Sequence, residues 1–220
     1  MSYTSQTGFF ISFEGSEGSG KTTQIRLLVE YLSRAGITPI VVREPGGTAV
    51  GESIRHLLQH SAEGREMTAE CELLLFAASR AQLVREKIVP ALAAGEVVIS
   101  DRFLDSTTVY QGVARMIPAK IVEVINCFAA GPRLPDVTFL LDMDAIDAHK
   151  RISGRRTGGP DRMEGQPVEF YEAVRRGYLD LAWHSASRIR LLDASKPEEE
   201  IAREIQETLR FHAIFKGSST

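Results

Sequence analysis

The octapeptide Gly15-Ser16-Glu17-Gly18-Ser19-Gly20-Lys21-Thr22 fits G-x-x-x-x-G-K-[ST], a loop whose backbone cradles phosphate groups. Its flanks carry the matching pattern. Before it, Phe9-Phe10-Ile11-Ser12-Phe13 is short, apolar and aromatic, as a buried strand should be. After it, Ile25, Leu28, Val29 and Leu32 recur at i, i+3, i+4 and i+7, one face of a helix. The loop therefore joins a strand to a helix N-terminus, where unpaired backbone N–H groups and the positive dipole end attract an anion. The glycines let backbone approach phosphate oxygens, Lys21 brings a mobile charge to the β- and γ-phosphates, and the Thr22 hydroxyl can ligate Mg²⁺. The competing reading, a glycine-rich turn that binds nothing, does not call for a strand before and a helix after. The whole loop, Gly15 to Thr22, is expected to hold a nucleoside triphosphate.

Outward from the loop, further strands are predicted at 39–43, 97–101, 138–142 and 190–193, whose nearly continuous apolar runs suit strands buried on both faces of a parallel sheet. Helical segments separate them. Gly36 is placed to end the first helix at C′. Residues 69–94 read as a helix broken or kinked near Pro90. Pro118, Pro167 and Pro197 suit the first position of three more helices, the first with Ile121, Val122, Ile125, Phe128 and Ala129 on one side. Residues 216–220 are expected to fray. The alternation predicts one α/β domain over 1–220, with about five parallel strands and helices on both faces. Ligands in such sheets bind beyond the strand C-termini, and Glu14, Arg43-Glu44, Asp101-Arg102, Asp142 and Asp193 each close an apolar run there.

Composition sets bounds. A chain of 220 residues, 43% hydrophobic and 25% charged with net charge −3, is ordinary for a globular protein and has no general drive toward nucleic acid. No apolar run approaches the ~20 residues of a membrane helix, and residues 1–7 lack a signal pattern. Cys71 and Cys127 are isolated, which points to a reducing, cytoplasmic compartment. His56 and His60 have no third ligand beside them and read as a solvated helix face.

Phosphoryl transfer is mostly positioning and charge neutralisation, so a phosphotransferase needs cations around a second phosphate. Arg102 emerges at the active edge, where its guanidinium can bridge phosphates, while Asp101 could hold Mg²⁺ directly or through water. A second basic run, from Lys150 to Arg162, passes from a helix end into Gly/Pro punctuation and suits a lid at about 151–164 that delivers arginines. Because position 17 is Glu, the phosphate loop has no cation besides Lys21, and further charge must come from elsewhere.

Phe13-Glu14-Gly15, Arg43-Glu44-Pro45-Gly46-Gly47-Thr48, Asp101-Arg102-Phe103 with Ser106-Thr107, and Tyr110-Gln111-Gly112 together resemble thymidylate kinase, in the same order and over roughly residues 9–209. Arginines in the lid and none in the phosphate loop resemble the bacterial subclass. The resemblance implies a nucleoside monophosphate kinase fold that moves the ATP γ-phosphoryl to dTMP with Mg²⁺, as a homodimer. It implies that Phe76 stacks on thymine and that Arg80, one turn on, donates to its O4. Thr107 lies near the base N3 edge, Tyr110 packs on the sugar and crowds a 2′-hydroxyl, Glu14 accepts from the 3′-hydroxyl, and Arg55 holds the monophosphate with Arg102. Gln111 and Ser106 belong to the motif either as contacts or as positioning residues. The isomer of the Glu44–Pro45 bond stays open. Thr157-Gly158-Gly159-Pro160 looks like added lid length, so Arg155 or Arg156 is expected to reach the transferring phosphoryl, beside Lys21 and Arg102. Another nucleoside monophosphate or deoxynucleoside kinase is the nearest alternative. A nucleotide switch is more remote, because the chain lacks Asn-Lys-x-Asp.

Overall fold

Five parallel strands form one sheet: β1 (Phe9–Glu14), β2 (Ile40–Arg43), β3 (Val97–Asp101), β4 (Val137–Asp142) and β5 (Ile189–Asp193), in the order β2-β3-β1-β4-β5. The computed structural model describes residues 8–153, 162 and 165–212; the expectations for residues 1–7, for the tail at 216–220 and for Arg155, Arg156 and most of the lid fall outside them. The helices are α1 (Lys21–Arg34), α2 (Ala49–Gln59), α3 (Ala69–Leu83), α4 (Val89–Ala93), α5 (Leu104–Thr107), α6 (Ala119–Ala130), α7 (Ala145–Ser153), α8 (Val168–His184) and α9 (Glu198–Arg210). β1 pairs with β3 on one side and β4 on the other, so the chain leaves it in both directions and the loop after it opens onto a topological switch point.

Alternation along β1 divides the core. Phe9, Ile11 and Phe13 point to the side covered by α1 and α9, among Leu28, Leu32, Ile205 and Leu209. Phe10 points to the other, among Leu83, Ile88, Leu92 and Phe103. Ser12 and Glu14 share that second face by the two-residue period and are fully buried there. α8 closes the same side through Val174 and Tyr178, packed with Val109 and Tyr110.

Several expectations need correction. Only β1, β3 and β4 are buried along nearly their whole length; β2 and β5 are edge strands that expose Val41 and Leu191, because among the described residues nothing covers those side chains. The helix through Pro90 is interrupted in its α-helical course, as expected, but without a break in the chain's helical path. A π-helical turn over Val84–Ile88 widens the backbone just before the proline ring would crowd the preceding turn, and the helix resumes as α4. Pro118, Pro167 and Pro197 sit one residue earlier than expected, as N-caps with extended ψ of 128°, 162° and 143°. α6 turns Val122, Asn126, Ala129 and Ala130 inward, leaving Ile121 and Phe128 50% and 79% exposed. Asn126 is drawn in by Arg80, whose Nη1 donates to its Oδ1 at 2.8 Å. Gly36, at φ 77°, does follow the end of α1.

Candidate active site

The phosphate loop leaves β1 through Gly15 at φ 135°, where an added Cβ would lie 2.5 Å from the Leu141 carbonyl oxygen. Gly18 and Gly20 are also at positive φ, and Gly20 caps α1. Lys21 curls back, its Nζ donating to the carbonyls of Gly15 (3.0 Å) and Ser16 (2.9 Å). Burial, with Arg102 nearby, lowers its ammonium to a pKa of about 8. The hydroxyls of Ser16 and Ser19 are buried and meet no hydrogen-bond partner among the described residues, so both are free to donate to an anion. The Thr22 hydroxyl is on an exposed residue at the helix start, and Asp101 is half-buried at the end of β3. These two hard oxygens fit Mg²⁺ held chiefly by phosphates; among the described residues no three His, Cys, Asp or Glu side chains converge into an all-protein cage.

Arg102 is the junction of the site. Its backbone is left-handed at φ 69°, a conformation costing about 1–2 kcal/mol, held by Arg102 N–H to Phe13 O (2.9 Å) and Ser100 Oγ to Arg102 O (2.6 Å). That twist swings the guanidinium across to the phosphate loop, where Nη2 donates to Glu17 Oε1 at 2.8 Å and Nη1 to Ser106 Oγ at 3.1 Å. The guanidinium carbon lies 5.2 Å from the Tyr110 ring centre, and Tyr110 donates to the other Glu17 oxygen at 2.7 Å. Burial opposes the charge on Glu17, but Arg102, Lys21 and the Tyr110 hydroxyl outweigh it and hold the carboxyl below its ordinary range. Glu17 thus joins Arg102 and Tyr110 in one hydrogen-bonded group.

Glu14 is placed differently from the expectation. Its Oε1 accepts from Phe103 N (2.7 Å), and Oε2 accepts from Ser106 Oγ (2.6 Å) and Tyr178 OH (2.8 Å). Burial, then the charge of Asp105, raises its pKa to about 7. Fully buried with both oxygens engaged, Glu14 knits β1 to α5 and α8, whereas Glu17 faces Arg102 and Tyr110.

A second cluster forms around Arg80, which is 1% exposed. Its Nε donates to Glu44 Oε2 (2.8 Å), Nη1 to Asn126 and Nη2 to Thr107 Oγ1 (2.8 Å). Glu44 is the second residue of the Arg-Glu-Pro-Gly-Gly-Thr turn; its bond to Pro45 is cis, Gly46 N donates to Ser79 Oγ, and Thr48 caps α2 by accepting from Gly51 N. Arg55 on α2 donates to Pro45 O at 2.9 Å. Phe76 lies half-buried one helical turn before Arg80. Gln111 is buried and donates to Glu72 Oε1 at 2.7 Å.

The phosphate loop, Arg102 and Tyr110 therefore form one group, and Arg80, Thr107 and Glu44 an adjoining one on the same side of the sheet. Tyr178, Asn126, Glu72 and Asp105 also belong to this network, although no motif announces them; Asp105, on α5, takes a bidentate Arg188 (2.7 and 2.8 Å). A carboxylate directly before the apolar run Leu73-Leu74-Leu75-Phe76 was the one available signal, at Glu72. A family model described as Thymidylate kinase matches residues 13–205. The chain belongs to the thymidylate kinase family. It is 45% identical over 214 residues to a thymidylate kinase of Symbiobacterium thermophilum, covering 96% of this chain and 98% of that one. A thymidylate kinase of Desulfosudis oleivorans is 46% identical over 198 residues, covering 88% and 92%. The crystal structure of thymidylate kinase from Ehrlichia chaffeensis superposes with a TM-score of 0.74 at 33% identity, over 93% of this chain and 99% of that one.

Proposed function

We propose that this chain is a dTMP kinase that moves the γ-phosphoryl group of ATP to dTMP, giving ADP and dTDP for dTTP synthesis. The observation that carries the residue assignment is Arg102, which bridges the phosphate loop at Glu17 and the acceptor-side ring of Tyr110. Gly15 to Thr22 wrap the ATP phosphates, with the Ser16 and Ser19 hydroxyls donating and Lys21 leaving its two carbonyls for phosphate oxygens. Thr22 and Asp101 are the residues that would hold Mg²⁺, which when bound offsets phosphate charge.

A dTMP phosphate oxygen attacks the γ-phosphorus in line; that P–O bond forms as the bond to the bridging β-oxygen breaks and ADP leaves. A phosphate monoester is largely ionised near neutrality, so no general base is required. Lys21, Arg102 and a lid arginine, Arg155 or Arg156, share the developing charge, and Arg55 helps hold the acceptor phosphate. Phe76 stacks on the base, Arg80 and Thr107 address its edge, and Tyr110 sits against the sugar. Glu17, beside Tyr110, is better placed than Glu14 to accept from the sugar hydroxyl. Exposed Leu74, Ile121, Val124 and Phe128 on the packed pair α3 and α6 support a homodimer through that face. No described helix is long and apolar enough to cross a membrane, and both cysteines are free thiols; a cytoplasmic, single-domain enzyme fits both.

The test follows the label from [γ-³²P]ATP. Transfer to dTDP, in step with ADP and dependent on dTMP, is expected; release of inorganic phosphate regardless of acceptor would overturn the reading.

A further inference from the structure

Glu72 is 1% exposed on α3, one turn before Phe76, and no step described above uses it. A carboxylate taken this far out of water persists only with good partners. It has three, Gln111 and Arg115 from one helical segment and Arg162 from the basic run. Gln111 Nε2 donates to Oε1 at 2.7 Å. Arg162, at the end of the basic run, places Nη2 2.6 Å from Oε2. Arg115 reaches both oxygens at 3.4 Å while lying 4.7 Å from the Phe170 ring centre. The circuit closes around them: Arg115 Nη1 donates to Gln166 Oε1 at 3.0 Å, and Gln166 Nε2 donates to Arg162 O at 3.0 Å. Arg162 is pinned from a third direction, its Nε donating to Leu58 O of α2 at 2.9 Å.

A carboxylate can only accept, so it dictates which way the Gln111 amide turns. The NH₂ group faces Glu72 and the oxygen faces away from it. We propose that Glu72 is a positioning residue of the acceptor site: it fixes the Gln111 amide with its oxygen outward and ties that setting to Arg162 at the end of the basic segment. This rests on the dTMP kinase reading. An outward carbonyl oxygen matches a pyrimidine whose N3 carries a hydrogen, as in thymine, and repels the N3 lone pair of cytosine. Glutamine at 72 could donate as well as accept, which frees Gln111 to turn over.

The experiment measures kcat and KM for dTMP and dCMP at saturating ATP, and KM for ATP, in the parent, Glu72→Gln, Gln111→Ala and the double variant. Glu72→Gln is expected to raise the dTMP KM about tenfold or more and to narrow the preference for dTMP over dCMP, with the ATP KM within about twofold. On top of Gln111→Ala it should add no more than about twofold, because it acts through that amide. An unchanged dTMP KM, a parallel rise in both KM values, or full additivity with Gln111→Ala would overturn the proposal. Should Glu72→Gln not fold, Arg162→Gln carries the test: the dTMP KM rises severalfold and Arg162→Lys restores most of it, whereas an unaltered KM in Arg162→Gln refutes the coupling. A parent that shows no preference for dTMP would instead fault the functional reading, so the two failures are distinguishable.

Discussion

Replacing Arg102 by alanine removes the guanidinium that spans the phosphate loop and the acceptor side. Arg102 is bound through both terminal nitrogens, to Glu17 at 2.8 Å and to Ser106 at 3.1 Å, so it is held at the point where transferred charge would develop. Losing one such fixed donor costs about 10²–10³ in kcat, roughly 2.7–4 kcal/mol of transition-state stabilisation. The fold should tolerate the change. Glu17 keeps the Tyr110 hydroxyl at 2.7 Å and the nearby charge of Lys21, so the penalty stays below the roughly 3–5 kcal/mol of a stranded buried charge. Coupled ADP release gives kcat and both KM values, and thermal unfolding reports the fold. Arg102→Lys should recover about tenfold at most, since an ammonium replaces the charge but not the planar fork. A folded Arg102→Ala variant turning over within about threefold of the parent would refute the reasoning.

Glu14 sets a pH dependence. With its pKa raised from 4.5 to about 7, the folded chain keeps a proton that the unfolded chain releases. Its stabilisation is therefore full below about pH 4.5 and declines as pH rises to about 7, by on the order of 3 kcal/mol. Glu14→Gln can accept from Phe103 N and donate to the Ser106 and Tyr178 hydroxyls, so the parent-minus-variant stability from urea unfolding should fall between pH 5 and pH 8; a constant difference contradicts the assignment. Gly15→Ala should lose stability by at least about 1–2 kcal/mol from its φ of 135° alone, with loss of ATP binding as the Leu141 carbonyl is pushed away; unimpaired ATP affinity by calorimetry would count against the close approach. Tyr110→Ala should narrow the preference for dTMP over its ribo analogue, and undiminished discrimination would argue against the steric role.

The phosphate loop and the three central strands were legible because local pattern decides them: a strand, a glycine turn and a helix in twenty-odd consecutive residues. The two edge strands were legible as strands but not as edges, since apolar runs such as Ile40-Val41-Val42 look the same whether or not a helix covers the outer face. The inward face of α6 was misread because Asn126, polar by type, is buried by a distant partner, Arg80. The same blindness applies to Glu14. A strand-ending acid beside the loop could face either ligand or core, and the choice was made by Tyr178, 164 residues away. Glu17, by contrast, was readable as the absence of a loop arginine, yet its pairing with Arg102 depends on a left-handed residue that sequence does not announce.

Acceptor choice separates a dTMP kinase from every other nucleotide kinase on this scaffold. The decisive measurement is kcat/KM for ATP-dependent phosphorylation of dTMP, dUMP, dCMP, UMP, AMP and thymidine by the same preparation. The expected order has dTMP highest, with dUMP next, because one methyl group is worth only about 1–3 kcal/mol. Any other acceptor equalling or exceeding dTMP would contradict it.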